Sequence, residues 1–223
     1  MASFPLNSAE LEAGQFIVGA VAAAMTLLAV ATPYILGWAR QPRLDIEVGP
    51  KNEGEYASGR FAFLHVTVIN KPLRGLFGLV QRREVAGDCR VQMVFEGNDF
   101  KLGPIEGRWS TTPEPVRVDI RDGQVTTFID ASLIPLGHRW TLAPDEAGAD
   151  LAVAVKTQGQ QECFAFNGWS YLHPRWSNQE WRIPKGTYRV RVTASSAGAS
   201  VERTLTLVNE SESLDGFRIT GDS

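Results

Sequence analysis

The segment that most constrains this chain runs from Phe16 to Trp38 and carries no charged residue over 23 positions. At a rise of about 1.5 Å per residue, such a helix is roughly 34 Å long, enough to cross a hydrocarbon core of about 30 Å. A cleaved signal peptide is the alternative, because Ala29 and Ala31 form a small-x-small pattern. The length of the apolar run, and the absence of Lys and Arg before it, favour a retained transmembrane helix.

Basic residues flank only the C-terminal end of this helix. Residues 1–15 contain no Lys or Arg, whereas Arg40 and Arg43 follow the helix directly. Because basic flanks stay on the cytoplasmic side, we predict a single-pass protein of the cell (inner) membrane, with its N-terminus outside and its C-terminal domain in the cytoplasm. Tyr34 and Trp38 are predicted to anchor the helix at the interface.

One stripe of the helix carries small residues four positions apart: Gly19 with Ala23, and Ala20 with Ala24. Small side chains let two helix backbones approach closely, so this face is a predicted packing surface for a partner helix. The alternative is that alanine is simply common in membrane helices.

After the helix, apolar and polar residues alternate in short segments separated by turn residues, which is typical of half-buried strands. The predicted strands cover residues 44–48, 60–70, 85–95, 116–120, 125–129, 151–155, 186–193 and 201–208. The predicted organisation is an N-terminal segment (1–15), a transmembrane helix (16–38), a basic juxtamembrane linker (39–43), a β-sandwich domain (44–208) and a polar C-terminal tail (209–223). The predicted fold class is therefore mainly β: a single transmembrane helix followed by an immunoglobulin-like antiparallel β-sandwich.

The stretch from Lys71 to Arg83 is both basic and apolar. If the first two strands pair antiparallel, the chain returns towards the membrane at Lys71, where Leu73, Leu76, Phe77 and Val80 follow helical spacing. We predict a short amphipathic element at the membrane interface or against a neighbouring subunit; a loop folded over its own core is the alternative. The predicted contact residues are Tyr34, Trp38, Arg40, Arg43, Lys71, Leu73, Arg74, Leu76, Phe77, Val80, Arg82 and Arg83.

The segment from Cys163 to Trp181 is unusually aromatic. Its Trp169, Tyr171, Trp176 and Trp181 combine apolar area with a polar group, as residues at protein interfaces do. A structural cap over an open end of the sandwich is the favoured alternative, because buried Trp and Tyr also need hydrogen-bond partners.

Three features carry a resemblance to known proteins: the Gly107–Pro115 segment GRWSTTPEP, the aromatic segment Cys163–Trp181, and an anchor that precedes the domain. On these features the chain resembles uncharacterised prokaryotic single-pass membrane proteins with an immunoglobulin-like domain. Gly186 and Tyr188 at the start of a late strand resemble the tyrosine corner of such sandwiches, although Val190 stands where antibody domains have a cysteine. This resemblance implies fold and topology, and it implies no activity.

No catalytic motif is present: the chain lacks HExxH, GxSxG and a phosphate-binding glycine loop. Cys89 and Cys163 are predicted to be buried thiols, and no cofactor or metal site is predicted. A net charge of −3 does not favour nucleic acid as a partner.

We predict a non-enzymatic membrane-anchored interaction module, a single-span accessory or scaffold subunit of a larger integral-membrane complex. Its partners would be membrane lipid and other membrane subunits. The alternative is an anchored hydrolase or ligand-binding protein that uses His138, His173 or the carboxylates between Asp119 and Asp130.

Overall fold

The structure is a computed structural model that describes residues 8–56, 59–73, 75, 78, 82–97, 99–121, 124–144 and 146–221, with side chains from residue 16 onward. The chain forms two compact units, Met1–Gln41 and Pro42–Ser223.

The described residues of the first unit form an α-helix, α1 (Ser8–Arg40). The predicted span lies within it, and the helix also includes residues assigned to the N-terminal segment and to the start of the linker. Residues Phe16–Arg40 are long and apolar enough to cross a membrane, with a mean hydropathy of 2.0. Large apolar side chains along the helix are mostly exposed, from Phe16 at 79% to Trp38 at 76%. Such a surface requires an apolar solvent or a partner helix.

Two hydroxyls within this helix are satisfied locally. Thr26 Oγ1 donates to the carbonyl oxygen of Ala22 at 2.9 Å, and Thr32 Oγ1 donates to that of Leu28 at 2.6 Å. These bonds to the preceding turn remove the cost of placing an unpaired hydroxyl in hydrocarbon.

The second unit is built from strands joined by turns and short 3-10 helices. The strands are β1 (Leu44–Tyr56), β2 (Gly59–Asn70), β3 (Ala86–Gly97), β4 (Phe100–Glu106), β5 (Arg108–Trp109), β6 (Val116–Arg121), β7 (Gln124–Ile129), β8 (Trp140–Leu142), β9 (Ala149–Thr157), β10 (Cys163–Ala165), β11 (Arg182–Ile183), β12 (Gly186–Ser196), β13 (Ala199–Asn209) and β14 (Arg218–Gly221). The 3-10 helices are Ala131–Leu133, Pro135–His138, Gly168–Leu172, Pro174–Trp176 and Gln179–Trp181.

Two antiparallel sheets pack as a sandwich around one core. The first sheet has the order β1-β2-β9-β10-β11, with β5 also paired to β9; the second has the order β14-β13-β12-β3-β4, with β8 paired to β3. Buried side chains of both sheets, among them Val66, Val153, Val190 and Leu205, form one cluster. The predicted strands and the mainly β sandwich are confirmed.

The first two strands pair antiparallel, as predicted, and bring the chain back to the start of β1. Leu44 on β1 pairs with Asn70 on β2, and the N–H of Lys71 donates to Arg43 O at 2.8 Å. The buried Asn70 amide also donates to the carbonyl oxygens of Glu84 and Leu142, at 2.9 and 3.1 Å. One asparagine thus joins three separate segments at this end of the sandwich. β1 continues beyond the predicted residue 48 because a bulge between Val48 and Lys51 shifts its register.

The segment after residue 208, predicted as a C-terminal tail, is part of the sandwich. Strand β14 pairs with β13, with Ile219 opposite Leu207. Leu214 and Phe217 are buried in the core. These spaced apolar residues are too few to show a strand pattern, but they close one side of the second sheet.

Buried polar groups fasten the C-terminal segment. The fully buried Lys156 on β9 donates to the side chain of Asn209 and, at 2.5 Å, to Ser211 O. Nearby Cys163 and the more distant Cys89 are buried free thiols, as predicted, and burial raises the pKa of each to about 12. Both thiols are therefore protonated structural groups.

Candidate functional site

The small residues of the helix stripe are exposed on successive turns of α1. Gly19, Ala20, Ala23 and Ala24 all face outward, and a Cβ placed on Gly19 would meet no atom within 4 Å. Tyr34 and Trp38 are exposed further along the same helix. The surface for a partner helix is therefore open, and its use stays a prediction.

The predicted amphipathic element is described only in part. Arg74, Leu76, Phe77 and Val80 lie outside the described residues. Lys71 forms an ion pair with Asp45, and Arg43 N–H donates to Asn70 Oδ1 at 3.1 Å, so both residues belong to the base of the sandwich. Leu73, Arg82, Arg83 and Arg40 are described, and their contact with lipid or a subunit stays a prediction.

The aromatic segment packs mainly on the outer face of the first sheet. Asn167 starts its first 3-10 helix: its Oδ1 accepts from the N–H groups of Trp169 and Ser170, while Asn167 N–H donates to Ser170 Oγ. Tyr171 and Trp176 pack on a second apolar cluster formed by Ala152, Val155, Phe164 and Phe166. Trp181 packs against the main core, and Trp169 is exposed. This segment is thus a cover of the fold, and its role as an interaction surface stays a prediction.

A cleft opens beside this cover. Across three neighbouring strands, His65 on β2 lies opposite Ala152 on β9, which lies opposite Arg108 on β5. Opposed residues of paired strands share a face, so the small Ala152 side chain forms a floor between an imidazole and a guanidinium. The cleft has a volume of about 240 Å³. It is lined by Tyr56, Phe61, Phe63, His65, Arg108, Trp109, Ser110, Thr112, Glu114, Ala152, Phe166, Tyr171 and Trp176.

The aromatic walls hold one another in defined orientations. The ring of Phe63 meets those of Phe166 and Trp176 edge to face, with centroids 5.0 and 4.9 Å apart. At the rim, Tyr56 stacks on Phe61 with centroids 5.0 Å apart. Such pairs add stability beyond simple burial, so the walls are preorganised.

Arg108 is the most unusual residue of the cleft, because its charged side chain is 2% exposed. Its Nη2 donates to Pro113 O at 2.5 Å, and its Cζ lies 5.2 Å from the centre of the Tyr171 ring. Its Nη1 is buried and has no hydrogen-bond partner. Gly137 makes room for this atom, since a Cβ at that position would lie 1.9 Å from it.

Two histidines near Arg108 are kept neutral by burial. His65 Nδ1 lies 3.0 Å from Pro50 O, a carbonyl that only accepts, so Nδ1 carries the proton and Nε2 is an acceptor. His138 Nδ1 lies 3.1 Å from Glu106 Oε2, and its buried Nε2 has no partner. Desolvation lowers the pKa of both imidazoles.

After the loop of residues 110–115, β6 and β7 form a two-stranded sheet, and neither strand pairs with any other strand of the described residues. Its register places three opposed pairs on one face: Val116 with Ile129, Val118 with Thr127, and Ile120 with Val125. Val118, Ile120 and Val125 are 59%, 68% and 66% exposed. We call this surface the apolar hairpin face. The opposite face carries Arg117, Asp119, Arg121, Gln124, Thr126 and Phe128.

The residues named for hydrolysis are not gathered at one site. Asp119 pairs with Arg121 at 2.9 Å, and Asp130 pairs with Arg117 at 2.5 Å and accepts from Ser132. His138 is buried beside Glu106, whereas His173 ends a 3-10 helix in the aromatic cover. Among the described residues, no group of three or more His, Cys, Asp or Glu side chains forms a metal-binding arrangement.

Sequence reasoning missed both Arg108 and the apolar hairpin face. The GRWS segment drew attention only as a point of resemblance, and nothing in its spacing indicates a buried guanidinium. The sequence predicts the hairpin correctly but assigns its alternating strands to the sandwich, which β6 and β7 do not join within the described residues. Comparison of the chain with protein-family models, with curated proteins and with solved structures gave no match.

Proposed function

We propose that this protein is a non-enzymatic, membrane-anchored interaction module, an accessory or scaffold subunit of a larger integral-membrane complex. The observation that carries the proposal is the apolar hairpin face, formed by β6 and β7. This two-stranded element follows the loop of residues 110–115, and it pairs with no other strand of the described chain.

The energetics of a hairpin support a bound partner. An isolated two-stranded hairpin is marginally stable in water and normally requires a third strand or packing against its apolar face. Here Val118, Ile120 and Val125 present a continuous apolar row to solvent. Covering that row would stabilise the hairpin by about 25 cal/mol for each Å² of apolar surface removed from water.

The partner we propose is a protein subunit of the same membrane. A protein surface supplies both apolar contact for Ile120 and backbone groups for the unpaired strand edges, which acyl chains do not. The exposed helix stripe at Gly19 and Ala23 supports a second contact with a membrane helix. The N-out, cytoplasmic-domain orientation at the inner membrane belongs to the same proposal, and rests on Arg40 and Arg43.

We also propose that the sandwich is related to immunoglobulin-like domains. The Tyr188 hydroxyl lies 3.5 Å from Lys185 O, three residues upstream. This contact resembles a tyrosine corner, in which the hydroxyl bonds back to nearby backbone.

Photo-crosslinking in native membranes tests the proposed function. A photoreactive residue at Ile120 should crosslink to one discrete membrane protein, whereas the same residue at Thr126, which is exposed on the opposite face of the hairpin, should not. Crosslinking of Ile120 to lipid alone, or to a second copy alone, would overturn the accessory-subunit proposal. Equal crosslinking from both positions would show that the apolar face is not the determinant.

Orientation has a separate test. A single cysteine placed at Ser200, an exposed position of the second unit, should resist a membrane-impermeant thiol reagent in intact cells and react after the cells are opened. Reaction in intact cells would place the domain outside.

A further inference from the structure

A second pocket lies where the chain enters the sandwich. One wall is the start of β1, residues 42–45, together with Lys71, which follows β2. The other wall is the turn between β12 and β13, residues 198–201. We call this the basal pocket. Its volume of about 490 Å³ falls within the roughly 300–1,000 Å³ of small-molecule sites, so it has room for a lipid headgroup.

The turn wall of the basal pocket is built from small residues. Ser196 pairs with Ala199 across the turn, and Gly198 adopts a φ of 81°, in the left-handed region that favours glycine. Ala199 and the exposed Ser200 follow with short side chains. This wall therefore leaves the pocket open, and Ser200 adds a hydroxyl that can donate a hydrogen bond.

The strand wall carries an excess of positive charge. Arg43 is exposed, and its guanidinium forms no ion pair within the described residues. Lys71 pairs with Asp45, but its side chain is 45% exposed, so some of its three N–H donors stay available. Desolvation opposes ionisation of Asp45, yet the hydrogen bond and the charge of Lys71 hold the pKa of Asp45 below its usual range. Two cations and one carboxylate leave the lining with one net positive charge.

Chain connectivity keeps these charges close to the end of the predicted span. The uncharged run ends at Trp38, and α1 ends at Arg40. Three residues extend over at most about 11 Å, so Arg43 stays within that distance of the helix end in any backbone conformation. The headgroup layer on each side of the hydrocarbon core is roughly 5–8 Å thick. Lys71 N–H donates to Arg43 O at 2.8 Å, so both cations are held within reach of lipid headgroups.

We propose that the basal pocket binds the headgroup of one anionic phospholipid, with its phosphodiester contacted by Arg43 and Lys71. A phosphodiester carries a single negative charge, which matches the net charge of the lining, and both cations form charge-assisted hydrogen bonds with phosphate oxygens. Anionic lipids are concentrated in the cytoplasmic leaflet, which agrees with the proposed orientation. The inference rests on the membrane anchorage in the proposed function, and it is independent of a partner at the apolar hairpin face.

Native mass spectrometry of the full chain in uncharged detergent micelles tests this site. The probes are dioctanoyl phosphatidylglycerol and dioctanoyl phosphatidylcholine, which have the same acyl chains but differ in net charge. We expect the anionic lipid to bind at least about fivefold more tightly, roughly the factor that one basic residue contributes near a negative surface. Equal affinities would overturn the proposal. Displacement of the anionic lipid by an equal concentration of glycerol 3-phosphate would also overturn it, because the site would then serve a free phosphate.

A matched pair of double variants separates the pocket from overall charge. Arg43→Gln with Lys71→Gln should remove the preference for the anionic lipid and leave binding of the zwitterionic lipid unchanged. Arg189→Gln with Lys101→Gln is the control: it also removes an exposed arginine and a lysine paired with a carboxylate, Glu96, but near the other end of β12. The control should keep the preference. Equal losses in both double variants would show that net charge and not the basal pocket attracts the lipid.

A substitution on the turn wall tests the site without breaking the pair between Lys71 and Asp45. Ser200→Glu places a negative charge at the pocket and should weaken binding of the anionic lipid at least about threefold, whereas the neutral Ser200→Gln should weaken it less. If the double variant fails to fold, equal affinities of these two variants would still overturn the proposal. Loss of the lipid preference while Ile120 keeps its crosslink would refute this inference alone, and the reverse result would refute the hairpin partner alone.

Discussion

The outer face of the first sheet and the apolar hairpin face have the same kind of sequence pattern but differ in their exposure to solvent. Each comes from strands with alternating apolar residues, yet Phe63 lies beneath Trp176 and Phe166, whereas Ile120 faces solvent. The difference is a cover: three short 3-10 helices lie on the first face, whereas no element of the described part of the chain covers the second. An apolar strand face therefore shows that a cover is needed, and only the rest of the fold shows whether this chain provides it.

The largest expected effect comes from removing part of the cover. Phe166→Ala should lower the free energy of unfolding by about 3–4 kcal/mol, because Phe166 is buried against Phe63 and Tyr171. Ile120→Ala, a truncation in the apolar hairpin face, should cost less than about 1 kcal/mol because that side chain is exposed. Denaturant unfolding of both variants measures the difference. Equal losses would remove the distinction between a covered and an uncovered face.

A smaller loss is expected where the 3-10 helix Pro135–His138 meets Arg108. Gly137→Ala should cost about 1–3 kcal/mol, because the new methyl group overlaps Nη1 and the guanidinium must move. Gly87→Ala is the control, since a Cβ there meets nothing within 4 Å. Thermal unfolding of the two variants compares them. If both behave alike, Arg108 is free to move and the cleft is less rigid than the structure shows.

Acidification should lower the free energy of unfolding through the two buried histidines. Burial lowers the folded-state pKa of His65 and His138, so below about pH 6.5 the unfolded chain binds more protons than the folded one. The contribution of the two neutral imidazoles to the free energy of unfolding is therefore fully present above that pH. It is lost gradually as the pH falls towards their folded-state pKa values. His65→Gln should reduce the slope of unfolding free energy between about pH 7 and pH 5. An unchanged slope would contradict this assignment.

The smallest effect on stability is expected at the apolar hairpin face. Ile120→Thr keeps a β-branched residue in β6 and should change the unfolding free energy of the isolated protein by less than about 0.5 kcal/mol. The same change should abolish crosslinking to the partner in membranes from a photoreactive residue at Val125, its cross-strand neighbour. A large loss of stability without any change in crosslinking would mean that Ile120 serves the fold and not an interface.

Local patterns were sufficient for the elements of this protein. The uncharged run from Phe16 to Trp38 predicts α1 because helix length and hydropathy are properties of neighbouring residues. The alternation in Arg60–Asn70 and Val116–Ile120 predicts β2 and β6 for the same reason. The return of the chain to residue 43 followed from antiparallel pairing of consecutive strands.

The tertiary structure alone decided which surfaces are covered and where charge is buried. Leu214, Phe217 and Ile219 are too sparse to predict β14, but pairing with β13 gives them a place in the core. From the sequence, Arg108 is indistinguishable from a solvent-exposed arginine. In the structure, β5 aligns it with Ala152 and His65, and the aromatic segment packs above it. Each of these outcomes depends on contacts between residues distant in sequence, and local periodicity does not contain them.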